Sequence, residues 1–281
     1  MKLVRHGQSG AEKPGIVDQD GTIRDLSGRI SDIDGAFLAS GLADLKGLDL
    51  ALLPKVAPDT RLGPPVARVG NFIAVGLNYA DHAAETGSPI PAEPILFNKA
   101  PSSIVGPNDD VMLPRGSVKS DWEVELAIVI GKTASYVEQK DALSYVAGYC
   151  LCNDVSEREY QIERGGQWMK GKSAPTFGPL GPWLVTPDEL GDIQDLAMWL
   201  DLNGEKAQRG STKTMIFDCA KIVSYTSQFM RLDPGDVITT GTPPGVGLGM
   251  KPPRFLKAGD VMTLGIAGLG EQRQTVVAHK A

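Results

Sequence analysis

The stretch DWEVELAIVI at residues 121–130 decides the expected fold, because it joins a long apolar run to two acids two residues apart. Successive side chains of a strand point to opposite faces, so Glu123 and Glu125 share one face with Ala127 and Val129. The opposite face is wholly apolar. Both faces are therefore largely apolar beyond the two acids, and the pattern predicts a buried strand that begins with two carboxylates.

The rest of the chain predicts more strands and short helices. A second apolar run, residues 145–152, predicts a strand that ends beside Asp154, with a helix capped by Ser156 expected next. The pair at 203–204, Asn-Gly, is a strong hairpin signal, and the spacing over 218–231 predicts a helix. With 33 Gly and 20 Pro in 281 residues, turns are frequent. We expect a mainly β fold with short helices, of the α+β class.

A proline-rich segment indicates a division of the chain. Residues 53–65 hold four prolines, and each proline fixes its own φ and removes a hydrogen-bond donor from any strand pairing. We therefore predict a linker there. It separates a small N-terminal domain, residues 1–65, from a catalytic domain, residues 66–281.

Composition excludes several classes of protein. A net charge of -6 without a basic patch argues against a nucleic-acid partner, and no window approaches the length of an apolar membrane span. The N-terminus lacks a secretory signal, so we expect a cytoplasmic protein. Cys150, Cys152 and Cys219 are expected to be reduced core thiols. A small molecule remains as the expected partner.

The acids predict a metal site. Two carboxylates side by side at the edge of a core repel each other and resist desolvation, so Glu123 and Glu125 need a cation to stay ionised. Asp154 could add a third oxygen ligand. Three carboxylates without Cys or His ligands favour Mg²⁺, Mn²⁺ or Ca²⁺ over Zn²⁺. The alternatives are a solvated strand end for the two glutamates and a turn acid for Asp154.

Two further segments carry groups suited to catalysis. His82 and Glu85, three residues apart, would share a helix face, where the carboxylate could orient the imidazole as a base. A surface ion pair is the alternative. Lys172 lies in a glycine-containing segment and could hold a carboxylate or a developing oxyanion. The glycines at 245–249 lack the strand-helix context of a dinucleotide site and indicate a loop.

Taken together, these segments resemble the fumarylacetoacetate hydrolase family, in particular a subgroup with a small N-terminal domain that includes diketo-deoxy-sugar-acid hydrolases and ureidoglycolate lyase-like proteins. The resemblance covers nearly the whole chain. It rests on GLNYADHAAE at 76–85, FNKAPSSIVGPNDDV at 97–111, DWEVELAIVIG at 121–131, GYCLCNDVSERE at 148–159 and GDVITTGTPPGVG at 235–247.

The resemblance implies a mixed β-sandwich roll with Mg²⁺ or Mn²⁺ at its mouth, and a homodimer. It implies that His82 and Glu85 activate water and that Lys172 assists catalysis. The implied metal ligands are Glu123, Glu125 and Asp154, and the implied substrate contacts are Lys99, Arg158, Gln161 and Thr242. One position departs from the family pattern: Pro175 stands where relatives commonly have aspartate, which leaves the loop shape and substrate preference open.

The implied activity is hydrolysis of the C3–C4 bond of a 2,4-dioxo acid to pyruvate and a second acid. A 2,4-diketo-3-deoxy sugar acid such as the rhamnonate or fuconate derivative would give lactate. The alternatives within the family are an oxaloacetate decarboxylase and another acylpyruvate hydrolase. A metal-dependent binding protein without catalysis is a further alternative.

A histidine phosphatase is the remote alternative from another class. The segment Arg5-His6-Gly7 copies the signature of such enzymes, in which the histidine becomes phosphorylated. That chemistry needs a second active-site histidine, and the chain offers only His82 and His279.

Overall fold

The computed structural model describes residues 1–280. Within this range the chain is mainly β, with four short α-helices: α1 Gly35–Ser40, α2 Ala80–Thr86, α3 Met169–Lys172 and α4 Cys219–Thr226. The first ten strands are β1 Lys2–His6, β2 Lys13–Val17, β3 Ile23–Asp25, β4 Leu62–Gly63, β5 Phe72–Gly76, β6 Ile95–Lys99, β7 Ile104–Val105, β8 Val111–Met112, β9 Ser120–Asp121 and β10 Val124–Ile130. The others are β11 Val146–Asn153, β12 Ser156–Glu157, β13 Gly178–Pro179, β14 Leu184–Val185, β15 Ala197–Leu202, β16 Glu205–Ser211, β17 Val237–Thr239, β18 Val261–Ile266 and β19 Gly270–Val277.

Two large sheets organise these strands. A ten-stranded mixed sheet has the order β3-β2-β1-β14-β11-β10-β17-β5-β6, with β4 paired to β1. A five-stranded sheet has the order β16-β15-β18-β19-β8, and the pairs β12-β9 and β13-β7 connect the remaining segments. The expected mainly β fold with short helices is confirmed.

Strands β10 and β11 lie in the middle of the ten-stranded sheet and are buried on both faces. Leu126 and Ile128 point into one apolar cluster, which the five-stranded sheet also lines, while Ala127 and Val129 point into a second. A strand covered on both faces reads as a continuous apolar run, which is why residues 126–130 show one.

The N-terminal segment is continuous with this sheet. Strand β1 pairs with β14 through Leu3 and Leu184, and with β2 over four residue pairs. Arg61 adds ion pairs to Glu12 and Asp109, so the segment before residue 65 is bonded to the segment after it. The division at residue 65 stays a prediction.

Local expectations were partly wrong at helix ends. Helix α4 stops at Thr226 rather than continuing to residue 231, because the chain leaves the helix at Ser227, whose N–H closes the last turn on Val223. Ser156 is not a helix cap: it begins β12, and its hydroxyl donates to the Asp154 carbonyl. A helical turn follows only at Glu159–Glu163.

The cysteines agree with expectation, since Cys150, Cys152 and Cys219 are free and buried. Across residues 1–280, none of the helices has the length and apolar character that crossing a bilayer requires.

Candidate active site

Three buried carboxylates meet where β10 begins and β11 ends. In the antiparallel register Val124 faces Asn153, and the Asp154 N–H donates to the Glu123 carbonyl just beyond the paired strands. Glu123, Glu125 and Asp154 each offer an oxygen within 4.8 Å of the others, and each residue is at most 6% exposed. The three acids grouped from the sequence lie together, and the two glutamates are buried rather than at a solvated strand end.

Cationic side chains surround two of these acids. Arg158 Nη2 donates to Glu123 Oε1 at 2.7 Å, and its Nε donates to Asp121 Oδ2 at 2.8 Å. Lys172 Nζ donates to Glu123 Oε2 and, at 2.7 Å, to Asp154 Oδ2. Glu123 and Asp154 are therefore neutralised by neighbouring cations.

Glu125 has no such partner among residues 1–280. Its Oε2 accepts a hydrogen bond from the Gly241 N–H at 2.9 Å. Gly241 can approach because it has a φ of +91° and because a Cβ there would lie 2.9 Å from Asn78 Cβ. Burial, reinforced by the charges of Asp154 and Glu123, raises the pKa of Glu125 well above its ordinary value.

In Glu123 and Lys172, by contrast, the pKa shifts favour the charged forms. Burial works against ionisation of Glu123, but Arg158 and Lys172 outweigh it and lower the pKa of Glu123 to about 2. Burial also opposes the charge of Lys172, yet Asp154 and Glu123 prevail and raise its pKa. Lys172 is therefore an ammonium group at neutral pH.

This donor set fits a hard divalent cation. All three groups are carboxylates, as Mg²⁺ and Mn²⁺ prefer, and they are buried within ligand reach of one another. Glu125 is the observation that decides the fit, because a buried carboxylate without a cationic partner is costly unless a cation binds it. Glu123, Glu125 and Asp154 can therefore hold a divalent ion.

His82 and Glu85 form the expected pair on α2. The imidazole Nδ1 lies 2.9 Å from Glu85 Oε2. Since a carboxylate only accepts, Nδ1 carries a proton, and in the neutral imidazole the lone pair lies on Nε2, the form that a base requires. Glu85 also accepts from the Gly245 N–H at 3.0 Å, so its carboxylate is held from the opposite loop.

The start of α2 is fixed by a buried amide. Asn78 donates to the carbonyls of Phe217 and Thr240 and accepts from the Phe217 N–H. Tyr79 is also fully buried. These contacts place His82 on the side of α2 that faces the carboxylates.

Arg158, Gln161 and Thr242 complete the polar part of the site. Arg158 Nη1 donates to Gln161 Oε1 at 3.0 Å, which leaves the Gln161 amide nitrogen as the group able to donate. The Thr242 hydroxyl donates to the Val124 carbonyl and accepts from Gln208. Gln208 thereby ties Thr242 to the strand that carries the glutamates.

Lys99 departs from expectation. Its side chain is fully buried, and Nζ forms an ion pair with Asp154 Oδ1 while donating to the Val155 and Lys172 carbonyls. The contact with Oδ1 is close but not along a hydrogen-bond direction, since that oxygen has no hydrogen-bond partner. Lys99 does not line the cavity, so the predicted substrate contact is replaced by a position behind Asp154.

The loop that contains Pro175 also lies outside the cavity. The Phe177 N–H donates to the Ala174 carbonyl, and the Thr176 hydroxyl accepts from the Met112 N–H. Lys172 keeps its two carboxylate partners beside this turn.

One cavity of about 200 Å³ brings most predicted residues together. Its polar lining consists of His82, Thr86, Ser88, Glu123, Glu125, Asp154, Arg158, Gln161, Lys172 and Thr242. A larger groove of about 1120 Å³ lies around residues 250–258, but its lining has no histidine and Asp260 is its one acid. The chemistry therefore belongs to the smaller cavity.

Three residues of the site had no role in the sequence interpretation. Asp121, fully buried, accepts from Arg158 and from the N–H groups of Gly247 and Leu248. Its position next to the two glutamates was a usable signal. Trp168, four residues before Lys172, lay beside a segment already singled out, whereas Gln208 belonged to no motif.

The fold and the site define a class of protein: a mainly β enzyme-like chain whose carboxylate cluster and histidine-glutamate pair share one cavity. Comparison with known proteins identifies the family. The family model described as fumarylacetoacetate (FAA) hydrolase C-terminal matches residues 71–277. The chain belongs to the fumarylacetoacetate hydrolase family.

Individual relatives agree. A protein of Burkholderia lata with only a general hydrolase name is 60% identical over 276 residues, 98% of each chain. The structure of a fumarylacetoacetate hydrolase from Exiguobacterium antarcticum has 39% identity and a TM-score of 0.89, covering 99% of this chain and 100% of that one. A maleylpyruvate hydrolase from Sphingobium, solved with manganese(II) and pyruvate, has 29% identity and a TM-score of 0.83, with 100% of both chains covered. Other matching structures carry isomerase names.

Proposed function

We propose that this protein is a divalent-metal-dependent hydrolase that cleaves the C3–C4 bond of a 2,4-dioxo acid and releases pyruvate. One observation carries the proposal: the carboxylate cluster and the His82–Glu85 pair line or adjoin the same cavity. The first suits the 2-oxo acid end of such a substrate, and the second suits activation of water. The Sphingobium relative was solved with manganese(II) and pyruvate, which supports a divalent metal and a pyruvate product for this chain.

Glu123, Glu125 and Asp154 would hold the divalent ion, which would supply Lewis-acid polarisation of the 2-oxo acid end of the substrate. Mg²⁺ and Mn²⁺ both suit these ligands.

The His82–Glu85 pair supplies the base. Glu85 keeps the Nδ1 proton in place, so His82 Nε2 can accept a proton from a water molecule in the cavity. The hydroxide attacks C4, and the pair of electrons of the C3–C4 bond passes to C3. Glu85 stabilises the imidazolium that forms, and the proton can then be returned to C3 to give pyruvate.

Polar and cationic side chains position the substrate and stabilise the negative charge that develops on it. The Gln161 amide nitrogen can donate to the 1-carboxylate, with Arg158 holding the amide oxygen. Lys172, an ammonium group beside Glu123 and Asp154, lies where the negative charge of a pyruvate enolate develops. Thr242, fixed by Gln208, borders the same space.

The His82–Glu85 pair favours hydrolysis over the decarboxylation of oxaloacetate. Decarboxylation uses no attacking water, and it gives the His82–Glu85 pair no task. The deoxy-sugar acid expected from the sequence belongs to the proposed substrate class and would yield lactate. A homodimer and a cytoplasmic location are further parts of the proposal.

The test is pyruvate release from a panel of 2,4-dioxo acids, including a deoxy-sugar acid, and from oxaloacetate, with Mg²⁺, Mn²⁺ or EDTA. We expect metal-dependent pyruvate from a 2,4-dioxo acid, lost in Glu123→Ala. The matched control is Glu205→Ala, which removes an exposed acid outside the cavity. Turnover that is indifferent to EDTA and to Glu123→Ala would sink the proposal.

A further inference from the structure

The cavity has a charged end and an uncharged end. The charged end holds the carboxylates with Arg158 and Lys172. His82, Gln161 and Thr242 also line the cavity. Apart from the hydroxyls of Thr86 and Ser88, the remaining lining is apolar and is formed by Val75, Gly76, Leu77, Phe97, Ile162, Trp168, Gly241, Val246 and Leu248.

Trp168 is the centre of the apolar wall. Its ring packs edge-on against Phe97, with 5.3 Å between ring centroids. It also lies directly on Gly76, where any Cβ would overlap the indole ring. Trp168 precedes α3, and Lys172 ends the same helix. One short helix therefore places an ammonium group at the charged end and an indole ring at the apolar end.

Each cation that lines the cavity is bonded to the carboxylate cluster. All three donor nitrogens of Arg158 are bonded, to Asp121, Gln161 and Glu123. Lys172 is bonded to two carboxylates.

The two hydroxyls beside the apolar wall carry no charge. The Thr86 hydroxyl donates within its own helix or to the Ser88 hydroxyl, 3.0 Å away. Lys172 Nζ lies 5.2 Å from the Phe97 ring centroid, but it is bonded to Glu123 and Asp154. A second substrate carboxylate beside Trp168 would therefore meet no unpaired cation in the lining of this cavity.

We propose that the protein selects 2,4-dioxo acids whose 4-acyl substituent is short and uncharged, and that Trp168 sets the length limit. The inference rests on the proposed function for the placement of the 2-oxo acid end at the carboxylates. A substrate carboxylate desolvated against Trp168 and Leu248 would lose its hydration without a partner. The volume of about 200 Å³ is below the roughly 300–1,000 Å³ of sites for drug-sized ligands. Maleylpyruvate carries a second carboxylate, so this selectivity separates the chain from that relative.

Binding of two unreactive 2-oxo acids of equal length tests the charge selectivity. 2-Oxohexanoate ends in a methyl group and 2-oxoadipate in a carboxylate. By calorimetry with the Mn²⁺-loaded protein, we expect 2-oxohexanoate to bind about tenfold more tightly or better. Equal affinity, or a preference for 2-oxoadipate, would overturn the inference. Since no turnover is needed, this result is independent of whether the pyruvate assay succeeds.

Two variants test the wall itself. Ile162→Lys places a cation at the apolar end, and we expect it to reverse or abolish the preference for 2-oxohexanoate. Trp168→Ala should raise the relative affinity for longer 2-oxo acids such as 2-oxooctanoate. Phe229→Ala, an exposed aromatic residue outside the cavity, is the control and should change neither ratio. Unchanged ratios in both wall variants would exclude this wall as the source of selectivity.

Discussion

Two regions of the molecule each place a histidine near buried ion pairs, and they differ in how completely the charges are paired. In the N-terminal region Arg5 pairs with Asp32 and Glu12, and Arg61 pairs with Glu12 and Asp109. Each of these acids faces an arginine. In the cavity Glu123 and Asp154 face cations, but Glu125 has only a backbone N–H.

The difference separates a structural cluster from a functional one. Complete pairing stabilises the attachment of the N-terminal segment, because Arg61 connects it to the loop that carries Asp109. An unpaired buried carboxylate destabilises the metal-free fold, and its cost is offset when a cation binds. A residue that lowers the stability of the metal-free protein and raises its affinity for a cation is typical of a binding site.

Neutralising one acid in each region is expected to give opposite effects on stability. Glu125→Gln should raise the melting temperature in EDTA at neutral pH, since a buried carboxylate with a raised pKa is removed. The same variant should lose more Mn²⁺ affinity than the roughly 10–100-fold that is typically lost when a residue hydrogen-bonded to a metal ligand is mutated. Glu12→Gln should destabilise the protein by about 1–3 kcal/mol, because two arginines lose a partner.

Thermal unfolding and Mn²⁺ titration of both variants measure these effects. The contrast between the two regions is wrong if Glu125→Gln lowers the melting temperature in EDTA as much as Glu12→Gln does. Full Mn²⁺ affinity in Glu125→Gln would remove this residue from the ligand set.

The two histidines provide the second test. His82→Gln should reduce pyruvate release by about 10²–10⁴-fold, the usual contribution of a general base, with Mn²⁺ affinity retained. His6→Gln should leave turnover unchanged, because His6 lies on β1 at 5% exposure and does not line the cavity. If both variants lose activity equally, or if a phosphorylated His6 forms, the assignment of the base to His82 is wrong.

The sequence predicted the strands that carry the site better than it predicted the surroundings. Period-two patterning around Glu123 and Glu125 is a local property, and so is the spacing of His82 and Glu85, so both could be read directly. Lys99 shows the limit of prediction from local sequence. A motif identifies the residue, but only the contact between Lys99 on β6 and Asp154 shows that Lys99 lies behind this acid. Trp168 enters the cavity because Gly76, 92 positions earlier, leaves space for its ring. Such pairs depend on the whole fold and leave no local pattern.

Helix ends were missed for a similar reason. The spacing of apolar residues over 218–231 continues past Thr226, but the chain turns at Ser227, whose hydroxyl accepts from the Val137 N–H. That partner comes from a distant segment. The Arg5-His6-Gly7 segment is the opposite case, a local pattern that suggests a function its residues do not serve. Arg5 and His6 pair with β2, and Arg5 forms an ion pair with Asp32.

The smallest predicted effect concerns the pH dependence of stability. Burial lowers the pKa of His6, although Asp25 opposes the shift, and its Nε2 has no hydrogen-bond partner. The unfolded chain therefore binds a proton at His6 near pH 6.5, while the folded chain stays neutral until the pH is lower. Stability is then unaffected above pH 6.5 and decreases as the pH falls from 6.5 toward the lowered pKa.

Denaturant unfolding of wild type and His6→Gln between about pH 8 and pH 5.5 measures this effect. Below about pH 6.5, we expect the free energy of unfolding of the wild type to fall more steeply with decreasing pH than that of His6→Gln. The difference in slope corresponds to at most one proton. Any constant loss of packing in the variant cancels, because the slopes are compared rather than the values. Parallel curves over the whole range would mean that His6 does not titrate differently on unfolding. A depressed pKa of His6 in the folded protein would then be excluded.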